Sequence, residues 1–179
     1  MTPIHEVLHD RQRYHLDHVA IAVPRITDTL PLYLEILNGR FITGGDNREL
    51  GFRGVQFEYS GGKIEILEPL SGSQFLAKFF ATRPNGGLHH VTFTVDDLPS
   101  AVRELESSGY HVLGVPQAFE WWSEVFLALP QTNSVLVQIA QKSSESAGRG
   151  LTLARVLSGR GNDGDGTASP GYRPPTNSG

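Results

Sequence analysis

The sequence predicts an α+β fold built from two similar halves, each a β-strand, a helix and further strands. The octet Leu16–Val23 matches Leu88–Val95 at a shift of 72 residues (88 − 16). Apolar side chains alternate along both octets, as they do along strands with one packed face. Apolar residues at helical spacing then follow each octet and stop at a glycine, Gly39 or Gly109. The chain therefore contains a duplicated β-α unit.

Three helices are predicted, one after each octet and one between the halves. Proline is tolerated in the opening turn of a helix, and Pro31 and Pro99 stand near the starts of the first two. Capping side chains, including Asp28 and Asp97, precede or enter these turns. The connecting helix is expected over residues 74–81. The apolar faces are Leu30, Leu34 and Leu37 in the first helix and Leu98, Ala101, Val102 and Leu105 in the second.

Each half continues with three more predicted strands. Short runs rich in β-branched and aromatic residues alternate with polar residues, which is typical of strands. The segment 60–62, Ser-Gly-Gly, predicts a tight hairpin in the first half. The expected strands are 40–44, 55–59 and 63–67 in the first half and 110–114, 124–129 and 135–140 in the second.

Composition divides the chain into an arm (1–13), one domain (14–141, with modules at about 14–70 and 86–141) and a tail (142–179). The tail is rich in Ser, Gly and then Pro, and such a segment buries too little apolar surface to offset the entropy of ordering. We therefore expect it to be flexible and disordered. The apolar residues 151–157 interrupt it, either as a transient apolar spot or as a helical turn that docks on a partner subunit.

Composition also excludes several classes of function. The 179 residues are 39% hydrophobic and 19% charged, which is ordinary for one soluble domain. The net charge of −4 is scattered, so a nucleic-acid partner is not expected. The absence of cysteine removes thiolate ligands, disulfides and a cysteine nucleophile. No segment resembles a signal peptide or a membrane span, so a cytoplasmic location is expected, with no membrane partner.

Four polar residues stand out against the alternating pattern, one on each of four predicted strands. Because successive side chains along a strand point to opposite faces, all four lie on the face away from the helices. If that face forms a cavity shared by both halves, the four side chains converge. Nitrogen and oxygen ligands of this kind suit Zn, Mn, Fe, Co or Ni and leave coordination positions open for water or substrate. These candidate metal ligands are His18, Glu65, His90 and Gln138.

The alternative is that each of these four candidates is an ordinary strand residue without a ligand role. A single histidine on a strand is usually a surface or hydrogen-bonded residue, and the same holds for a single glutamate. Two histidines at matched repeat positions, His18 and His90, favour a shared metal ion instead.

The segments LDHVAIAV and GLHHVTFTV, with KIEILEPL between them, resemble the vicinal oxygen chelate superfamily of glyoxalase I, extradiol dioxygenases, antibiotic-resistance proteins and methylmalonyl-CoA epimerase. The segments IEILEPLSGSQFLAKFF and GLHHVTFTVDDL are most similar to the epimerase branch. The resemblance covers residues 16–141. It implies paired βαβββ modules that form a curved mixed sheet around a metal-binding cavity, with ligands at His18, Glu65, His90 and Gln138. Family members usually have glutamate at the last position.

Gln138 cannot exchange a proton, whereas an epimerase generally needs two groups that can. In the epimerase branch a second glutamate comes from the strand before the hairpin. Glu58 is our first candidate for this base, although a shift of one residue would place Phe57 there, and a solvated Glu58 is the alternative. Glu124 is a second acid/base candidate. The aromatic residues of its segment either line an apolar pocket or pack in an interface, and they are Trp121, Trp122 and Phe126.

The leading hypothesis is a divalent-metal-dependent enzyme that stabilises an enolate of a carbonyl or acyl-CoA substrate, as in a methylmalonyl-CoA epimerase-like isomerase. A glyoxalase-like lyase or a natural-product pathway isomerase is the second hypothesis. The third is a resistance-type protein that sequesters a small molecule without chemistry. An extradiol dioxygenase is less expected, because that branch has its carboxylate where Gln138 stands. Family members often dimerise, so a homodimer is also considered.

Overall fold

A computed structural model describes residues 14–119, 122–142 and 151–159, the side chains of residues 115–119 excepted. The described residues form two compact units. The first unit comprises residues 17–91 and 151–159, and the second comprises residues 14–16, 92–119 and 122–142. In chain order the elements are β1 (His15–Ala22), a 3₁₀ turn (Ile26–Thr29), a π-helical turn (Pro31–Ile36), β2 (Arg40–Asn47), β3 (Phe52–Tyr59), β4 (Gly62–Pro69), α1 (Ala77–Thr82), β5 (Gly87–Thr94), α2 (Leu98–Ser107), β6 (Val112–Phe119), β7 (Trp122–Leu127), a second 3₁₀ turn (Leu129–Thr132), β8 (Val137–Lys142) and α3 (Leu153–Leu157).

The sheet of the first unit has the strand order β2-β3-β4-β1, with the beginning of β5 beside β1. Strands β1 and β4 are parallel, and Ala20 is opposite Glu65 in their register. The pairs β2/β3 and β3/β4 are antiparallel, so the sheet is mixed. Tyr59 is opposite Gly62, which confirms the predicted hairpin.

The two faces of this sheet have separate apolar clusters, as the strand alternation predicts. Val55, Phe57 and Ile66 are fully buried in the first cluster, which we call the outer core. The second cluster lies on the opposite face and is rich in phenylalanine. Its members are Ala20, Ala22, Leu67 and Leu76, with Phe52, Phe75, Phe79 and Phe80 packed against them.

The predicted first helix is not an α-helix. After a 3₁₀ turn, the amide of Leu37 donates to the carbonyl of Leu32 at 2.9 Å, a bond that spans five residues. The chain then turns at Asn38, which has a φ of 54°. Gly39 is required for close approach, because a Cβ there would lie 2.5 Å from the carbonyl oxygen of Tyr33 and 2.6 Å from the hydroxyl of Tyr59.

Helix α3 contradicts the expectation of a disordered tail for residues 151–159. Val156 is fully buried, and Leu151, Leu153 and Leu157 pack against the same outer core. The guanidinium of Arg53 donates to the Leu157 carbonyl at 2.9 Å. The apolar residues therefore dock on their own chain, where the short π-helical turn leaves apolar surface to cover. Residues 143–150 and 160–179 of the tail lie outside the described residues.

The second unit has the strand order β8-β7-β6, and both pairs are antiparallel. Its core contains Val95, Leu98, Ala101, Val125 and Ile139, so α2 packs its predicted apolar face on the strands. As predicted, a side chain caps α2 and a glycine ends it. The Asp97 carboxylate accepts from the amide of Ser100 at 3.2 Å, and Gly109 has a φ of 87°.

The predicted α+β class with βαβββ element order is confirmed. Among the described residues, the departures lie at element ends, in the 3₁₀ and π-helical turns and in α3. Among the described residues, no helix has the length and apolar composition required to cross a membrane.

Candidate metal centre

Three of the four predicted ligands lie together in the first unit. They come from neighbouring strands: His18 from β1, Glu65 from β4 and His90 from β5. One potential ligand atom from each lies within 4.8 Å of the other two. Glu65 Oε2 is 3.5 Å from His18 Nε2 and 3.7 Å from His90 Nε2. The carboxylate therefore faces both imidazoles at once.

Strand phase explains this convergence. Ile64 and Ile66 pack in the outer core, so Glu65 between them points to the opposite face. Parallel pairing of β1 and β4 places Glu65 beside Ala20, two residues from His18 and on the same side of the sheet. Both histidines are almost fully buried, at 3% exposed for His18 and 5% for His90.

Further polar side chains contact these three residues. Asp17 Oδ2 is 2.8 Å from His18 Nδ1 and also accepts from Lys63 Nζ at 2.7 Å. Gln56 Nε2 donates to Glu65 Oε1 at 3.2 Å. None of these three polar neighbours, Gln56, Asp17 and Lys63, was predicted as part of the site.

His89 was likewise given no role, yet it contacts a candidate ligand. Its Nδ1 lies 2.8 Å from the Nδ1 of His90, and its ring packs on Phe79 and Phe75 at centroid distances of 5.2 and 6.1 Å. The signal that could have found it is positional, since Asp17 and His89 precede the matched histidines at equivalent repeat positions.

The electrostatics of the cluster are asymmetric. Burial lowers the pKa of His18, but hydrogen bonds and charges from Asp17 and Glu65 outweigh it and raise that pKa to about 9. Burial raises the pKa of Glu65, but its contacts with His18 and the other polar neighbours lower it to about 2. Burial lowers the pKa of His90 to about 3 and that of His89 to about 4. An ionised Glu65 thus faces one protonated and one neutral imidazole.

The donor set fits a divalent metal ion. Two buried imidazoles and one partly buried carboxylate, aimed at one another, are ligands that Zn, Mn, Fe, Co and Ni accept. Both Nδ1 atoms are already engaged by neighbours, so the Nε2 atoms face Glu65. A cation would take the place of the proton that His18 holds.

Gln138 lies on β8 of the second unit, in a network of its own. Its Oε1 accepts from the Thr92 hydroxyl at 2.5 Å, and its Nε2 donates to Glu124 Oε2 at 2.6 Å. The indole N–H of Trp122 donates to the same oxygen at 2.5 Å. Coordination of a metal by Gln138 therefore stays a prediction. Glu120 and Trp121 lie outside the described residues.

Glu58 forms an ion pair with Arg40, and its side chain is 44% exposed. The register of β3 resolves the alternative at this strand. Gln56 is opposite Glu65, whereas Phe57 is fully buried in the outer core, so a Phe57 placement on the site face is wrong. Glu58 shares the face of Gln56, but its contact is with Arg40 and not with the cluster.

Comparison with known proteins identifies the family. The model of the Glyoxalase/Bleomycin resistance protein/Dioxygenase superfamily matches residues 17–126. The chain belongs to this superfamily. An ethylmalonyl-CoA/methylmalonyl-CoA epimerase of Cereibacter sphaeroides is 33% identical over 99 residues, which cover 55% of this chain and 74% of that protein. The mitochondrial methylmalonyl-CoA epimerase of Homo sapiens is 30% identical over 128 residues, 70% of this chain and 73% of that protein.

A solved structure shows the same fold. A variant of the Streptomyces coelicolor methylmalonyl-CoA epimerase, in complex with 2-nitronate-propionyl-CoA, matches with a TM-score of 0.64 and 21% identity over 73% of this chain and 98% of that one. The structural match shows the fold, and the sequence relatives make the protein an epimerase-like member of the superfamily.

Proposed function

We propose that this protein is a divalent-metal-dependent epimerase that moves an α-proton of a 2-substituted acyl-CoA. The observation that supports it most strongly is the His18–Glu65–His90 cluster, with both histidines buried, in a chain whose relatives are named methylmalonyl-CoA epimerases. An ion held there would supply Lewis-acid stabilisation of the charge that develops on a substrate carbonyl when the α-proton leaves. A homodimer and a cytoplasmic location remain part of the proposal.

Glu124 is the better supported of the two proton-exchanging candidates. Two N–H groups, from Trp122 and Gln138, donate to its carboxylate and favour the ionised form, which a base requires. Glu58 is paired with Arg40 at an exposed position, where the guanidinium competes with any substrate proton. Gln138 therefore contributes by orienting a carboxylate, although it cannot exchange a proton itself.

Hydrogen exchange at the α-carbon tests the reaction directly. Metal-loaded protein is mixed with 2-methylmalonyl-CoA, and with other 2-substituted acyl-CoA thioesters, in deuterated buffer, and deuterium uptake is followed by mass spectrometry. We expect uptake that needs an added divalent ion and disappears in His18→Ala and His90→Ala. His111→Ala is the matched control, since His111 is exposed and outside the cluster.

Other outcomes separate the alternatives. Metal-loaded protein that exchanges no α-proton of any of these thioesters would overturn the proposed function. If the metal-free protein still binds thioester tightly, the same result would favour a sequestering protein.

A further inference from the structure

The residue before each candidate ligand histidine contacts the Nδ1 atom of that histidine. Asp17 does so for His18, and His89 does so for His90, both at 2.8 Å. Positions 17 and 89 are related by the same shift of 72 residues (89 − 17) as the histidines themselves. The contact is thus present in both halves of the internal repeat, although the contacting residue is an aspartate in one half and a histidine in the other.

On the His18 side the partner is an anion. Asp17 is 9% exposed, and its Oδ2 also accepts from Lys63, which holds the carboxylate ionised. Because a carboxylate only accepts hydrogen bonds, the proton lies on His18 Nδ1. The other nitrogen, Nε2, then faces Glu65 Oε2 at 3.5 Å.

On the His90 side the partner is a second imidazole. Two Nδ1 atoms at 2.8 Å share one proton, so one ring donates and the other accepts. Contacts with Phe79 and Phe75 pack the His89 ring in place. If His90 binds a cation through Nε2, its Nδ1 must be the donor and His89 Nδ1 the acceptor.

We propose that Asp17 and His89 are positioning residues that hold His18 and His90 with Nδ1 protonated and Nε2 directed at a shared divalent ion. The inference rests on the metal site of the proposed function, but it requires no turnover. An anionic acceptor strengthens its ligand more than a neutral one does, so Asp17 contributes more to affinity than His89.

Matched variants test each position. Asp17→Leu and His89→Phe remove the acceptor at similar size, whereas Asp17→Asn and His89→Gln keep a neutral acceptor. Co²⁺ affinity is measured by calorimetry, with thermal melting of the metal-free proteins as a check on folding. We expect Asp17→Leu and His89→Phe to weaken Co²⁺ binding by roughly 10- to 100-fold, as removal of such partners usually does, with partial recovery in Asp17→Asn and His89→Gln. His111→Ala should bind as the wild type does.

Nitrogen-15 NMR of the histidine rings supplies a readout that a merely structural role would not move. We expect Nδ1–H for His90 in the metal-free wild type and for both histidines with Zn²⁺ bound, and a mixture of ring tautomers in His89→Phe. Finding Nε2–H on His90 in the metal-free wild type would overturn the proposal. So would unchanged Co²⁺ affinity in His89→Phe, which decides the matter even if Asp17→Leu fails to fold.

Failure of the proposed epimerase function can be distinguished from failure of this inference. A wild-type protein that binds Co²⁺ through both Nε2 atoms and still exchanges no α-proton contradicts the proposed function and leaves the roles of Asp17 and His89 intact.

Discussion

The two units place the same pair of side chains, a glutamine and a glutamate, on adjacent strands in opposite order. In the first unit Gln56 lies on β3 and Glu65 on β4, directly opposite each other, with an N–H···O distance of 3.2 Å. In the second unit Glu124 lies on β7 and Gln138 on β8, in diagonal contact at 2.6 Å.

The opposite order of glutamine and glutamate places the carboxylate on β4 in the first unit and on β7 in the second. Glu65 sits between two imidazoles, whereas Glu124 accepts hydrogen bonds from an indole N–H and an amide N–H. A carboxylate held between bases suits a cation, and one held by neutral donors suits proton transfer. One repeated hairpin can therefore supply two different chemical groups.

The sharpest test of this division removes the charge in the second unit. Glu124→Gln keeps size and hydrogen-bonding capacity but cannot exchange a proton, so the rate of α-proton exchange should fall by roughly 10²- to 10⁴-fold. Co²⁺ affinity measured on the same sample should change little. Glu58→Gln is the matched control, and a larger loss there than in Glu124→Gln would reverse our choice between the two.

Removing the charge in the first unit should act on the metal instead. Glu65→Gln leaves two imidazoles without their carboxylate, and the affinity for Co²⁺ should fall by more than the roughly 10- to 100-fold typical of residues outside the coordination shell. Calorimetry checks this. Gln56→Ala, which only removes a donor to Glu65, should cost much less, and equal losses in the two variants would contradict a ligand role for Glu65.

The pH dependence of metal binding tests the same contrast, because the histidine cluster found among the described residues lies in the first unit. His18 has its pKa raised to about 9, so it is protonated at neutral pH and must lose that proton to bind a metal. Metal affinity should therefore rise with pH by about tenfold per unit up to pH 9 and level off above it. Calorimetry in buffers of different ionisation enthalpy should show about one proton released at pH 7.5. A flat profile between pH 7 and 9 would contradict the His18 assignment.

A smaller effect is expected from the helices that cover the strands of each unit on the face away from the site. The second unit covers its strands with α2, whereas the first adds α3 to a short π-helical turn. Val156→Ala should lower the free energy of unfolding by about 2 kcal/mol, because Val156 is fully buried. Chemical denaturation measures it, with exposed Ala154→Ser as control. Equal stability of the two variants would show that α3 does not contribute to the core.

The strand-borne part of the site was predictable because alternation has a period of two. That rule placed His18, Glu65 and His90 on one face, and the structure brings them together. Alternation did not predict the contacts of Asp17 and His89, since it assigns adjacent residues to opposite faces and does not describe bonds between their side-chain tips.

The helical parts were harder to predict for a different reason. The apolar spacing before Gly39 indicates a helix but not its hydrogen-bond pattern, so the π-helical turn was not anticipated. The α3 segment stands in Ser- and Gly-rich surroundings whose composition predicts disorder. Only the outer core shows why Val156 is ordered, since burying it depends on residues far away in the chain.

That distance has a consequence for biosynthesis. Residues 17–91 leave the ribosome first, and N-terminal regions generally begin to fold while translation continues. Val156, which belongs to their outer core, is nevertheless made only after residues 92–142 of the second unit. The outer core of the first unit is therefore complete only after α3 has been synthesised. A chaperone that shields Val55 and Phe57 in nascent chains would act before that point.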